Sequence, residues 1–120
     1  MKKRIAAIVL CALLVACVFP TATFAAQNNE DIIILYENDV HCAVEGYSRL
    51  SAMKKELQET YTHVGVVSGG DYIQGSSLGA ISQGQYIVDL MNLVGYDAVT
   101  LGNHEFDYRM DRLAELVCLM

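Results

Sequence analysis

Three short clusters hold the side chains best able to do chemistry. Asn38-Asp39-Val40-His41 places a carboxylate and an imidazole one residue apart. Gly69-Gly70-Asp71 adds a second carboxylate behind two glycines, and Gly102-Asn103-His104 adds an amide and a second imidazole, with Asp107 three positions further on. Carboxylate oxygen, imidazole nitrogen and amide oxygen are suitable donors for zinc, manganese or iron. A single Asp-x-His, or a single Asp after glycines, is also an ordinary loop sequence. Three such groups at equal intervals are a stronger signal, and here Asp39, Asp71 and Asn103 follow one another at steps of 32 residues. In an extended segment Asp39 and His41 project to the same side. His104 and Asp107 share one face of a first helical turn, where the carboxylate orients the ring and favours its protonated form. Such an imidazolium can stabilise a developing negative charge or protonate a leaving group. From the chemistry alone an alternative stays open, with Asp107 as a helix N-terminal cap and His104 as a structural hydrogen bonder.

The elements that must position these groups can be read from hydrophobic patterning. Asp31 to Tyr36 is a continuous aliphatic run, which predicts a strand buried on both faces, as in a parallel sheet. From Ser48 to about Thr60, Leu50, Met53 and Leu57 recur at helical spacing. Val64 to Val67 predicts a second strand. Ser82 followed by Gln85 reads as a capping box opening a helix with the stripe Ile87, Leu90, Met91 and Val94, ended by Gly95. Ala98 to Leu101 predicts a third strand, and Met110, Leu113, Ala114 and Val117 a third helix. The order β-α-β-α-β-α argues for an α/β fold with right-handed crossovers. Each polar cluster then lies just past the carboxyl end of a strand, where open α/β sheets place their sites.

Residues 1–25 have the layout of a secretory signal peptide. Lys2, Lys3 and Arg4 precede an apolar stretch, and small residues precede Ala26. The apolar run is shorter than the ~20 residues of a membrane span. Leu14-Val15-Ala16-Cys17 reads alternatively as a lipoprotein box with Cys17 lipidated. The expected organisation is thus a leader over 1–25, a polar lead-in over 26–30 and a folded part over 31–120, exported to the cell surface, the periplasm or the medium, with no transmembrane segment after cleavage. Without the leader, five basic residues face fourteen acidic ones, a net charge of −9. That charge disfavours nucleic acid and anionic membranes as partners. An anionic substrate then needs a local positive charge, which bound metal would supply. Cys42 and Cys118 are too few for a disulfide framework, and Cys42 reads as a bystander to His41. The glycine-rich SGGDYIQGSSLG lacks both Gly-x-Gly-x-x-Gly and Gly-Lys-Ser/Thr, and no lysine occurs from residue 56 to 120, which argues against a nucleotide P-loop. No carboxylate pair stands out for glycosidase chemistry.

The block Tyr96-Asp97-Ala98-Val99-Thr100-Leu101-Gly102-Asn103-His104-Glu105-Phe106-Asp107, with Asn38-Asp39-Val40-His41 and Gly70-Asp71 plus Gln74-Gly75-Ser76, resembles the 5′-nucleotidase family of calcineurin-like metallophosphoesterases. The resemblance spans about residues 31 to 117. It implies part of a calcineurin-like sandwich and hydrolysis of a nucleotide or other phosphate ester by two divalent metals, zinc, manganese or similar. Carried over by motif, Asp39 and His41 would bind the first metal, Asp71 would bridge both and Asn103 would bind the second. His104 with Asp107 would stabilise the pentacoordinate phosphorus, and no substrate-binding residue is assigned. Tyr36-Glu37 departs from the His-Thr frequent in the family, and Cys42 from a usual small residue. The family's downstream Gly-His-x-His-like motif and its nucleoside-gripping C-terminal domain have no counterpart, so the chain is expected to be an N-terminal portion, inactive or weak by itself. Alternatives are a cyclic-nucleotide phosphodiesterase or nucleotide-sugar hydrolase of the same superfamily, or a non-catalytic exported binding module.

Overall fold

A computed structural model describes residues 29–120. The expected leader therefore lies outside the described residues. Three parallel strands form one sheet in the order β1-β2-β3: β1 is Asn29–Glu37, β2 Tyr61–Ser68 and β3 Ala98–Val99. Between them run α1 (Glu45–Gln58), α2 (Ser77–Ser82) and α3 (Gln85–Val94); a 3₁₀ turn (His104–Phe106) and α4 (Arg109–Val117) follow. β1 begins two residues inside the stretch read as a polar lead-in, and α1 starts three residues before Ser48.

The strand order explains the layering. When strands are added in one direction, right-handed crossovers place their helices on the same face. α1 and α3 accordingly pack against each other. Under them lies a core of Val66, Ile87, Val88, Met91 and Val94, extended by Tyr47, Tyr72, Ile73 and Leu116. The opposite face of β1 is bare among the described residues. Ile32 is 70% exposed, Ile34 56% and Tyr36 66%. The expectation of a strand buried on both faces is thus corrected, because one layer of helices covers one side only.

Two helix readings also change. Ser82 does not open a helix but ends α2, which Ser76 caps by accepting from the Gly79 amide. Gln83 and Gly84 then take left-handed φ of 47° and 84°, and α3 starts with Gly84 at its N-cap without a side-chain bond. Arg112 of α4 holds this break: its guanidinium donates to the Gln83 and Ser82 carbonyls at 3.1 and 3.3 Å. These are carbonyls that a continued helix would have used internally. A Cβ at Gly84 would meet Ile73 and Leu116, so the break docks tightly on the core. On α4, Leu113 and Leu116 are buried while Met110 and Val117 are 62% and 50% exposed, which rotates the buried stripe from the one expected. Gly95 does end α3, at φ 78° with its amide bonded to the Met91 carbonyl. β3 is shorter than Ala98–Leu101, although the Thr100 amide still reaches the Ser68 carbonyl.

Candidate functional site

All three polar clusters follow the carboxyl ends of adjacent strands, as the spacing predicts. Past β1 and β2 the backbones remain joined. Asp39, His41 and Cys42 donate their amides to the carbonyls of Gly70, Asp71 and Tyr72 at 3.0 to 3.2 Å. The first segment is not extended, however. Asp39, His41 and Cys42 have φ of 61°, 45° and 60°, and Asp71 on the second segment has 59°. Non-glycine residues in this region cost about 1–2 kcal/mol each and gather where function over-determines the backbone. The curl, rather than strand alternation, brings the Asp39 Oδ1 within 2.8 Å of the His41 Nε2. The His41 Nδ1 lies 3.1 Å from the Gln74 carbonyl and so carries a hydrogen. A neutral ring then turns the Nε2 lone pair toward a carboxylate oxygen. A proton or a shared cation relieves that arrangement. Cys42 is buried, its thiol donating to the Tyr72 carbonyl at 3.3 Å, and burial pushes its pKa up.

The second and third segments interlock. A Cβ on Gly70, whose φ is 102°, would fall on the Gly102 backbone, and a Cβ on Gly102 would fall on the Asp71 carboxylate. Only glycines permit this approach. Asp71 Oδ1 accepts from the His104 amide at 2.8 Å. Glu105, fully buried, replies from the other side. Its Oε2 accepts from the amides of Asp71 (2.7 Å) and Gly102 (2.6 Å), and its Oε1 from those of Tyr72 (2.8 Å) and Ile73 (3.3 Å). Sequence reasoning singled out no role for Glu105. The one available signal was a carboxylate between His104 and Phe106, flanked by residues with more obvious chemistry.

His104 Nδ1 sits 2.7 Å from Asp107 Oδ2. That hydrogen bond raises the His104 pKa above 6.5, and the charges of Asp107, Asp71 and Glu105 act in the same direction against a desolvation that lowers it. Asp107 caps the C-terminal end of the 3₁₀ turn, and Tyr108 is the N-cap of α4 with no side-chain cap bond, so Asp107 is not a helix N-cap. Asn103 stands at the N-cap of the turn, its side chain making no cap bond. The rings of His41 and His104 meet edge to face, centroids 4.8 Å apart. The two histidines thereby join the Asp39–His41 pair to the His104–Asp107 pair, and the His104 amide joins both to Asp71. Among the described residues no three His, Cys, Asp or Glu groups close around a common point. The donor set itself, two carboxylates, an imidazole with its Nε2 turned to one of them and an amide, fits a hard-to-borderline divalent metal.

The calcineurin-like phosphoesterase family model matches residues 32–117. A snake venom 5′-nucleotidase from Gloydius brevicauda is 36% identical over 105 residues, covering 74% of this chain and 18% of that protein. The trifunctional nucleotide phosphoesterase YfkN of Bacillus subtilis is 31% identical over 77 residues, 64% of this chain and 5% of that protein. The crystal structure of calcineurin-like phosphoesterase YfkN from Bacillus subtilis aligns with a TM-score of 0.60 at 30% identity, over 72% of this chain and 33% of that one. The chain thus spans less than a fifth of the length of the curated relatives it matches.

Proposed function

The chain belongs to the calcineurin-like phosphoesterase family, and from that premise we propose that it carries the amino-terminal share of a two-metal centre that hydrolyses nucleotide phosphates, in the manner of a 5′-nucleotidase. The observation that supports this reading best is the meeting of Asp39, His41, Asp71, His104 and Asp107 along one edge of the sheet. Asp39 and His41 would hold one divalent metal, Asn103 the other, and Asp71 would bridge. When bound, such a pair supplies Lewis acidity and a water of lowered pKa. His41 is oriented for this by the Gln74 carbonyl, which fixes its tautomer. His104, whose protonated form the Asp107 carboxylate favours, would donate a hydrogen bond to a phosphoryl oxygen as negative charge gathers there. The acidic surface makes the site's own cations the means of receiving an anionic substrate.

The likeness to a nucleotide phosphoesterase described as trifunctional supports a second reading within the same chemistry, with cyclic nucleotides or other nucleotide phosphodiesters as substrates. Residues 1–25 support export by their layout. Among the described residues no helix is long and apolar enough to cross a membrane. Four donor groups are few for two metals, so the 120-residue chain is expected to bind manganese or zinc weakly and to turn over poorly. Isothermal titration of Mn²⁺ into the chain and into its Asp71→Ala variant tests the centre. Equal affinity in both would sink it, and brisk AMP hydrolysis lost in Asp71→Ala would overturn only the expectation of weak turnover.

A further inference from the structure

We propose that Glu105 is a positioning residue that couples the two halves of the centre, making Asp71 and the Asn103–His104 pair move as one body. The inference deepens the metal-centre reading and rests on it for its link to affinity. Glu105 has no solvent exposure. Among the described residues no cationic side chain pairs with it. Its two oxygens accept instead from four backbone amides, so every neighbour they meet is a donor.

The division of labour between its two oxygens carries the argument. Oε1 takes Tyr72 and Ile73, both on the segment after β2. Oε2 takes Asp71 from that segment and Gly102 from the segment after β3, at 2.7 and 2.6 Å, so one atom bridges two candidate ligand loops. Asp71 Oδ1 returns the contact by accepting from the His104 amide. The two acids therefore cap each other's loops, each receiving amides from the backbone that bears the other. A glutamine cannot replace this arrangement, because its amide group would confront N–H donors whichever way it turned. The Asp39–His41 segment takes no bond from Glu105 and is joined to Asp71 through backbone amides and carbonyls. Coupling through Glu105 is consequently one-sided.

Amide hydrogen exchange and Mn²⁺ titration on the 120-residue chain, its Glu105→Gln variant and a Leu113→Ala control decide the matter. Glu105→Gln is expected to lose protection at Gly102, His104 and Asp71 to Ile73 together, by about tenfold or more, and to weaken Mn²⁺ binding about 10- to 100-fold. Leu113→Ala, which empties a buried position on α4, a helix that bears none of the candidate ligands, should lower the melting temperature while leaving Mn²⁺ affinity within about twofold. Should Glu105→Gln not fold, Glu105→Asp, which keeps the charge and retracts it by one methylene, is read by the same two measurements. Loosening of Asp71 to Ile73 without Gly102 and His104 would overturn the coupling, as would an affinity loss of equal size in Leu113→Ala. The metal reading fails separately, when Asp71→Ala and the unaltered chain bind Mn²⁺ alike; the exchange pattern then still decides whether Glu105 joins the loops.

Discussion

The segment after β1 and the segments after β2 and β3 supply the same kinds of side chain but are built differently. Asp39 and His41 are placed by a left-handed curl secured through main-chain bonds to the neighbouring loop and through the His41 ring and Cys42 thiol on that loop's carbonyls. Asp71, Asn103 and His104 stand on backbones so close that only glycine fits at positions 70 and 102, with a buried carboxylate between them. One half holds three left-handed residues against the single Asp71 of the other, and the other is stitched. Strain of this kind persists only where neighbouring structure enforces it, so the first half depends on the second for its shape.

The sharpest way to break that contrast is to remove the stitch. Glu105→Ala leaves four amides without an acceptor, two of them buried (Tyr72, Ile73) at about 1–3 kcal/mol each, and urea unfolding should show a loss above about 2 kcal/mol. A loss below about 1 kcal/mol would mean that solvent reaches these groups and that the stitched half is no stiffer than the other. Gly102→Ala presses a methyl onto the Asp71 carboxylate, and a loss of about 1–3 kcal/mol in the same assay is expected, with Mn²⁺ binding weakened. On the strained half the sign reverses. Asp39→Gly should raise stability by about 1 kcal/mol by relieving its positive φ, while abolishing Mn²⁺ affinity at the first position. A variant that lost both stability and affinity would show that the curl is held by the Asp39 side chain rather than by the fold.

The smallest effect concerns protonation. Asp107→Asn removes the carboxylate charge and leaves only a neutral acceptor opposite the His104 Nδ1, so the ring's titration, followed by NMR, should move toward lower pH. For a raised histidine the associated stabilisation is complete below the unfolded value near 6.5 and disappears as pH climbs through the folded one. The pH profile of the variant should therefore flatten on the alkaline side, and an unmoved titration would detach Asp107 from the ring.

Much of the site was legible because its donors are chemically conspicuous and because strand ends recur at a fixed interval. Asp39, His41, Asp71, Asn103, His104 and Asp107 stood out as candidates by type and spacing. Glu105 was not, since burial and amide acceptance leave no mark on composition. The false capping box at Ser82 has a similar origin. Its local pattern is satisfied in isolation, but Arg112, 30 residues away, claims the carbonyls that end α2. The bare face of β1 was hidden because an unbroken aliphatic run reads the same with one layer over it or two.

What the amino-acid order determined by itself is the alternation of strand and helix and the presence of metal-liking groups at the strand ends, because periodicity and side-chain chemistry are local properties. Which groups touch was decided by tertiary structure. The 2.8 Å approach of Asp39 to His41, the histidine contact and the four amides converging on Glu105 join residues from separate segments or depend on positive φ. Such contacts exist only once β2 lies between β1 and β3 and fixes how far apart their ends can be.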